Sequence, residues 1–145
     1  MGTAHVSSVT LRAYRTKDTY IVIEAFMDHF WRNLCQVLGL DPLADDPRFN
    51  SRQNRLTNRD ELDRLIEEAF LKKTTDEWQA LFDITEVPAG PINTLDKTFA
   101  DPQILAREMV VEIDSPHTGK VRDVGNPIKM SGVERQVYNP PPLLG

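Results

Sequence analysis

The three histidines are the residues that most readily suggest chemistry, because imidazole is both a common metal ligand and a general base near neutral pH. His5, His29 and His117 are far apart, and none is spaced from another histidine or from a cysteine as metal ligands are. His5 lies near the N-terminus, His29 at an expected helix start and His117 in an expected turn. We interpret all three as solvated or capping residues and predict no metal site.

Other candidates for nucleophilic or phosphate chemistry have structural explanations. The single cysteine, Cys35, excludes an intrachain disulfide and falls within an apolar helical stripe, which favours a buried, inert thiol. The seven glycines form neither a phosphate-binding loop nor a nucleophile elbow. The acidic pairs Asp45-Asp46 and Glu67-Glu68 are typical of caps and of a solvated helix face. Trp31 and Trp78 continue apolar helical stripes, which favours places in the core. The residue types alone therefore predict no catalytic residue, no bound cofactor and no metal ion.

The apolar pattern predicts an α+β fold. Alternating and β-branched residues indicate one hairpin near 9–24 and a second near 109–130. Apolar residues at helical spacing indicate a cluster of helices over about 28–84, which we expect to pack against the small antiparallel sheet. At 145 residues the chain has the length of one domain, and we predict a single domain over 1–145.

Several local signals predict where elements begin and end. Asp28 is the expected N-cap of a helix that Gly39 ends. Capping boxes are expected at Asn58 with Glu61 and at Thr74 with Glu77. Asp101-Pro102 should open a short helix.

Proline-rich stretches predict extended chain. Residues 87–92 are expected to form a connection or an edge segment, and residues 126–130 to add an edge strand. The last seven residues, 139–145, carry no signal of a folded terminus.

Charge and composition exclude two classes of partner. The net charge is −5, and the best basic cluster, Arg52-Arg55-Arg59, is followed by Asp60, Glu61 and Asp63, which argues against nucleic-acid binding. No apolar run approaches the ~18 residues of a membrane span, and no leader-like segment opens the chain. We expect a cytoplasmic protein with neither a nucleic acid nor a membrane as partner.

An ordered set of short strings resembles the class III CoA-transferases, the family of formyl-CoA transferase, carnitine CoA-transferase and α-methylacyl-CoA racemase. Each string alone is weak, but their order is specific to the family's small domain. The resemblance covers essentially all of this chain but well under half of a full-length member. The strings are Gly2-Thr3-Ala4-His5, Arg12 to Asp18, Phe30-Trp31, Leu34-Cys35, Leu38-Gly39, Asp46 to Phe49, Asn54-Arg55, Glu77-Trp78, Val87 to Pro91, Asp101 to Gln103, Ala106-Arg107, Gly125 to Lys129 and Pro141 to Gly145.

The resemblance implies that the chemistry lies in another domain. In the family, an aspartate of the large domain attacks the acyl-CoA thioester, and mixed-anhydride and aspartyl-CoA intermediates follow. Racemase relatives instead move a proton with a histidine and an aspartate of the large domain. None of these residues has a counterpart here, so we expect the large domain to lie upstream of Met1 and downstream of Gly145. The chain alone should neither transfer CoA nor bind it appreciably, and CoA thioester is a substrate of the full-length enzyme only.

The same resemblance implies a lid-like domain with one substrate-facing segment. By position, Ala25, Phe26, Met27 and Asp28 would face the active-site cleft. Many relatives carry a Gly-Asn pair where this chain has Phe26-Met27, and the bulkier pair suggests a hydrophobic acyl group or a plug. Simple packing of the hairpin against the helix explains these residues equally well. The chain departs from the family at two further positions. Thr19 stands where relatives usually have a glycine, and Leu11 lies near a position where some relatives have an aromatic residue, so the identity of the substrate stays undetermined.

Two other functions remain open beside the enzyme fragment. The chain could be a free-standing module that binds acyl-CoA or a protein, or a truncated gene product that folds without a function. Parents with transferase and racemase activity are both compatible with the sequence. As partners we expect the large domain and, where that domain is absent, a second copy of the chain, because an uncovered apolar face favours association.

Overall fold

The computed structural model describes residues 2–132, 137–140 and 142. Two compact units divide the chain, unit 1 over Met1–Ile92 and unit 2 over Asn93–Gly145. The single domain over 1–145 stays a prediction, since two compact units can belong to one domain. Most of the C-terminal family string lies outside the described residues, which include Pro142 alone from it.

The predicted α+β class is confirmed. In the described part of the chain, two small antiparallel sheets accompany six α-helices and one 3₁₀ helix. The elements are β1 (Arg12–Arg15), β2 (Tyr20–Ile23), α1 (Asp28–Leu38), a 3₁₀ helix (Asp41–Ala44), α2 (Arg52–Thr57), α3 (Arg59–Phe70), α4 (Thr75–Phe82), β3 (Ala89–Pro91), α5 (Leu95–Ala100), α6 (Pro102–Ala106), β4 (Val110–Ser115) and β5 (Gly119–Val124).

No helix in the described ranges has both the length and the apolar character to cross a bilayer. The cytoplasmic location stays a prediction.

Unit 1 contains a three-stranded antiparallel sheet in the order β1-β2-β3. The predicted first hairpin is present, but its first strand begins at Arg12 rather than at residue 9. Val9 is buried off the strand, where its carbonyl accepts a 3.3 Å hydrogen bond from the Tyr14 hydroxyl. β3 confirms the edge segment expected over 87–92. It pairs with β2 on one side, and Pro91, which lacks an N–H donor, is tolerated there.

Helix α1 begins one position earlier than predicted. Met27 is its N-cap and Asp28 its first helical residue, so the expectation that Asp28 caps the helix was wrong. The carboxylate of Asp28 instead binds an arginine from another element. Gly39 ends the helix as predicted, with φ 68° and its N–H bonded to the carbonyls of Cys35 and Gln36.

The two expected capping boxes had different outcomes. Thr74 and Glu77 form the reciprocal box at the start of α4. Asn58 precedes α3, but its side chain makes no capping bond, so that prediction was wrong. Its amide nitrogen donates instead to the carbonyls of Arg48 and Asn54, at 3.0 and 2.9 Å, and these bonds fix the amide in an orientation in which its oxygen makes no capping bond.

The core of unit 1 joins the hairpin to the helices through aromatic rings. Tyr14 of β1 stacks on Phe70 of α3 at 5.0 Å, and Phe70 meets Trp78 of α4 edge-on at 5.4 Å. Trp31 and Trp78 are both buried, as their stripes predicted. Cys35 is buried as well, and burial raises the pKa of its thiol to about 12, which keeps it protonated and unreactive near neutral pH.

Unit 2 contains the second predicted hairpin. β4 and β5 pair in register from Val110 opposite Val124 to Ser115 opposite Gly119. The expected helix at Asp101-Pro102 is α6, whose first amides bond to the Asp101 carboxylate. Residues 126–130 have irregular backbone, so the edge strand expected there was wrong. Asn126 uses its side chain for a turn, accepting the Ile128 N–H at 2.9 Å.

Candidate functional site

The four residues expected to face a substrate lie between β2 and α1 and differ in exposure. Ala25 is fully buried in the core of unit 1, and Phe26 is half-buried. Met27 is 45% exposed, and the side chain of Asp28 is 73% exposed. The structure therefore presents Phe26, Met27 and Asp28 at the surface of unit 1 and uses Ala25 for packing. Contact of these residues with a substrate stays a prediction.

Backbone hydrogen bonds hold both ends of this segment. The Glu24 N–H donates to the carbonyl of Pro88 at 3.0 Å, which fixes the segment beside β3. The Trp31 N–H donates to the carbonyl of Met27 at 2.9 Å, which is the first bond of α1. Between these points a side chain from another element adds support through hydrogen bonds.

Arg55 of α2 supplies that support from inside the protein. It is only 3% exposed, and its Nη2 donates to the Phe26 carbonyl at 3.4 Å and to Asp28 Oδ1 at 3.0 Å. Its Nη1 donates to the Phe49 carbonyl at 3.0 Å, and its guanidinium lies over the Trp31 ring, 5.2 Å from the centroid. Arg55 was not predicted from the sequence as a residue of this site, although Asn54-Arg55 is one of the family strings.

The two other arginines of the basic cluster bind backbone carbonyls. Arg52 donates to the Ser7 carbonyl at 3.0 Å and lies over the Phe26 ring, with 5.9 Å to the centroid. Arg59 donates to the carbonyls of His5 and Ser8 at 2.9 and 3.3 Å. Both therefore attach the N-terminal segment to α2 and α3; the absence of a nucleic-acid partner stays a prediction.

A second polar cluster joins the turn after β1 to the start of α4. Asp18 Oδ1 accepts bonds from the Thr75 N–H at 2.8 Å and from the Thr16 hydroxyl at 2.9 Å. These donors, the Thr75 N–H above all, lower the pKa of Asp18 to about 2. A carboxylate held ionised by so many donors is a poor proton acceptor, so the cluster serves to hold the turn against the helix.

A third cluster attaches β1 to α3. Arg12 Nη1 bonds to Asp63 Oδ2 at 2.8 Å, and Arg12 Nη2 bonds to Glu67 Oε1 at 3.0 Å. Burial raises the pKa of Asp63, and the Arg12 charge opposes that rise. Burial also raises the pKa of the neighbouring Tyr14 hydroxyl well above its usual range. This cluster lies between a strand and a helix rather than in a cleft, which favours a structural role.

The described residues bring together no group of three histidine, cysteine, aspartate or glutamate side chains that could hold a metal ion. His29 packs against Phe30, with ring centroids 4.0 Å apart, and His5 accepts the Ser7 N–H through Nδ1 at 3.2 Å. Neither arrangement presents a ligand set.

Comparison with known proteins gives one consistent result. The sequence model of CoA-transferase family III matches residues 1–145. Human succinyl-CoA:glutarate CoA-transferase is 38% identical over 144 residues, which are 99% of this chain and 33% of the human protein. An acyl-CoA transferase of Fusarium pseudograminearum is 38% identical over 99% of this chain and 32% of its own length.

The solved structures agree with the sequence relatives. A CAIB/BAIF family protein from Brucella suis superposes with a TM-score of 0.82 at 33% identity, over 94% of this chain and 35% of that protein. This chain thus spans about a third of the length of the curated relatives and structures that it matches.

Proposed function

This chain belongs to CoA-transferase family III, and from that premise we propose that it forms the small, lid-like domain of an enzyme that transfers CoA from an acyl-CoA to a carboxylic acid. The observation that carries the proposal is that nearly the whole chain matches a segment that makes up about a third of each relative. The TM-score of 0.82 to a family member supports the same assignment. Because both of these relatives are named as CoA transferases, we favour transferase over racemase activity.

The nucleophilic carboxylate, in this proposal, belongs to the remaining two thirds of the enzyme. The carboxylates near the substrate-facing segment and the hairpin turn support this division. Asp28 is paired with Arg55, and Asp18 is held ionised by hydrogen-bond donors. Each has a structural task, so neither is placed as a free nucleophile.

The segment from Phe26 to Asp28 forms the wall of the acyl site that this domain contributes. Phe26 and Met27 offer apolar surface, and the thioether side chain of Met27 packs well against apolar groups. Asp28 does not add a free negative charge beside that surface, because Arg55 neutralises it. The proposal therefore favours an apolar acyl portion next to Met27.

The large domain is the partner that we propose for the outer face of the β1-β2-β3 sheet. Tyr20 and Val22 point away from the core on the central strand, with 48% and 38% of their surface exposed. Gly90 lies opposite Val22 on β3, and a Cβ there would meet nothing within 4 Å. Glycine is therefore not required by packing inside unit 1, and a bare strand centre suits close approach of another polypeptide.

The test compares this chain with the longer polypeptide that joins it to a large domain. We expect the longer polypeptide to move CoA from an acyl-CoA to a free carboxylic acid, followed by mass spectrometry of both acyl-CoAs. The 145-residue chain should show no transfer and no calorimetric CoA binding in the micromolar range. Transfer by the isolated chain would contradict the proposal, and micromolar CoA binding without transfer would favour a free-standing acyl-CoA-binding module.

A further inference from the structure

Arg55 is a charged residue in a place where charge is costly. It is the one charged residue among the buried polar residues of the described chain. A buried cation is tolerated only when its donors are bonded and its charge is neutralised, and removal of a partner leaves a strong penalty. An apolar side chain would fill the same space without that requirement, so the reason for an arginine must lie in the bonds that it makes.

Those bonds converge on the substrate-facing segment. Nη2 reaches both the Phe26 carbonyl and the Asp28 carboxylate, and Nη1 reaches the Phe49 carbonyl on the loop before α2. The guanidinium is planar and rigid, so three acceptors bonded to it are fixed relative to one another. Arg55 thereby fixes the position of residues 26–28 relative to the loop that contains Phe49.

Met27 lies between the two residues that Arg55 holds. Its neighbours Phe26 and Asp28 bind Arg55, and its own carbonyl accepts the first bond of α1. Its side chain is 45% exposed, whereas Arg55 is 3% exposed. Met27 at the surface is thus the residue available for contact with a ligand, and the buried Arg55 is the residue that supports it.

We propose that Arg55, through its ion pair with Asp28, is the positioning residue that sets where Met27 and Phe26 stand in the acyl site, and so determines which acyl groups the enzyme accepts. This inference rests on the proposed function and assigns a task to a residue that need not touch the substrate. A rigid wall discriminates between acyl chains of different length, whereas a loose wall adapts to each of them.

The test uses the complete enzyme and a series of acyl-CoA donors of increasing chain length. Arg55→Met removes the guanidinium with its hydrogen bonds, and Asp28→Asn removes the negative charge that pairs with it. Arg55→Lys keeps the positive charge but not the planar guanidinium geometry. Phe70→Leu, in the core beneath Tyr14 and Trp78, is the control for general loss of stability. Melting temperatures of all variants are measured beside kcat and KM.

We expect Arg55→Met to change the ratio of kcat/KM between the best and worst donors by about tenfold, which corresponds to about 1.4 kcal/mol of discrimination. Asp28→Asn should change the ratio in the same direction, and the double variant should add little, because the two residues form one pair. Arg55→Lys should restore part of the discrimination. Phe70→Leu should lower the melting temperature with the ratio unchanged.

Two results would overturn the inference. One is an equal fall of kcat/KM for every donor in Arg55→Met, matching that in Phe70→Leu, which would make Arg55 a purely structural residue. The other concerns the 145-residue chain: hydrogen exchange of residues 26–31 should rise in Arg55→Met relative to the rest of unit 1, and no local rise would contradict the positioning role. If the wild-type enzyme transferred no CoA at all, the proposed function and the effect on selectivity would both be contradicted. The hydrogen-exchange measurement would still test separately whether Arg55 supports residues 26–31.

Discussion

At the scale of single residues, Asp18 is an exposed carboxylate whose hydrogen bonds hold a turn against a helix and lower its pKa. Asp18 accepts hydrogen bonds from two threonines and from a backbone amide of α4, and its pKa falls to about 2. An unfolded aspartate has a pKa of about 3.9. Since the folded carboxyl binds its proton less readily than the unfolded one, ionisation of Asp18 favours the folded chain.

We predict that Asp18→Asn lowers the urea midpoint of unfolding at pH 7 and that this difference narrows as the pH falls from about 4 to about 2. The sign follows from the lowered pKa: the stabilisation is complete above the unfolded pKa and is lost through the folded one. Urea titrations at pH 7, 4 and 2.5 measure the effect, with Asp114→Asn on the exposed side of β4 as the control. A difference that stayed constant over this pH range would contradict the assignment of the effect to the charge of Asp18.

At the scale of elements, two glycines in strands or beside them have opposite requirements. Gly90 in β3 has open space where a side chain would begin. Gly125, directly after β5, has none, because a Cβ there would collide with the carbonyl oxygen of Glu108 and come within 3.3 Å of Val111. Only the second glycine is needed by the fold of its own unit.

Gly90→Ala should therefore leave the unfolding free energy of unit 1 unchanged within about 0.5 kcal/mol. Gly125→Ala should destabilise the β4-β5 hairpin by about 1 to 3 kcal/mol, because the Glu108 carbonyl is backbone and must shift. Hydrogen exchange of the hairpin amides and thermal unfolding of the chain measure both effects. Equal changes in unfolding free energy for the two variants would show that the close approach at Gly125 does not determine the stability of the hairpin.

Sequence predicted those elements whose signals are local. Gly39, the box of Thr74 with Glu77, and Asp101 before Pro102 each act within one helical turn, and each was found where expected. The prediction at Asn58 was wrong because its amide nitrogen bonds to the Arg48 carbonyl, an acceptor ten residues away that local spacing does not reveal.

The support of the candidate site could not be read from the sequence for a similar reason. The burial of Arg55 depends on contacts with residues 26, 28 and 49, which are brought together only by the fold. An arginine in a short polar helix otherwise resembles a solvated one, and periodicity gives no indication that its charge is neutralised from another element.

At the scale of the whole molecule, the outer face of the β1-β2-β3 sheet is the surface that we expect to govern association. Tyr20 and Val22 are exposed at its centre, and we propose that a large domain covers them in the complete enzyme. Where that domain is absent, exposed apolar surface of this kind favours pairing with a second copy.

The 145-residue chain should therefore dimerise at high concentration, and Val22→Lys should shift it to the monomer by placing a charge on that face. Ile84→Lys is the matched control, since Ile84 is 82% exposed in unit 1 but lies outside the sheet. Sedimentation velocity over a range of concentrations distinguishes the outcomes. A wild-type chain that remained monomeric throughout, or equal loss of dimer in both variants, would exclude this face.

The buried thiol of unit 1 has a practical consequence. Cys35 is the single sulfhydryl of the sequence, and the interior of unit 1 both covers it and keeps it protonated. An alkylating reagent can reach it only when that interior opens, so the labelling rate under native conditions reports the breathing of Met1–Ile92 and is not obscured by a second sulfhydryl in the hairpin unit. The chain thus carries its own probe for deciding which of the substitutions above loosen unit 1 as a whole and which act only at the surface.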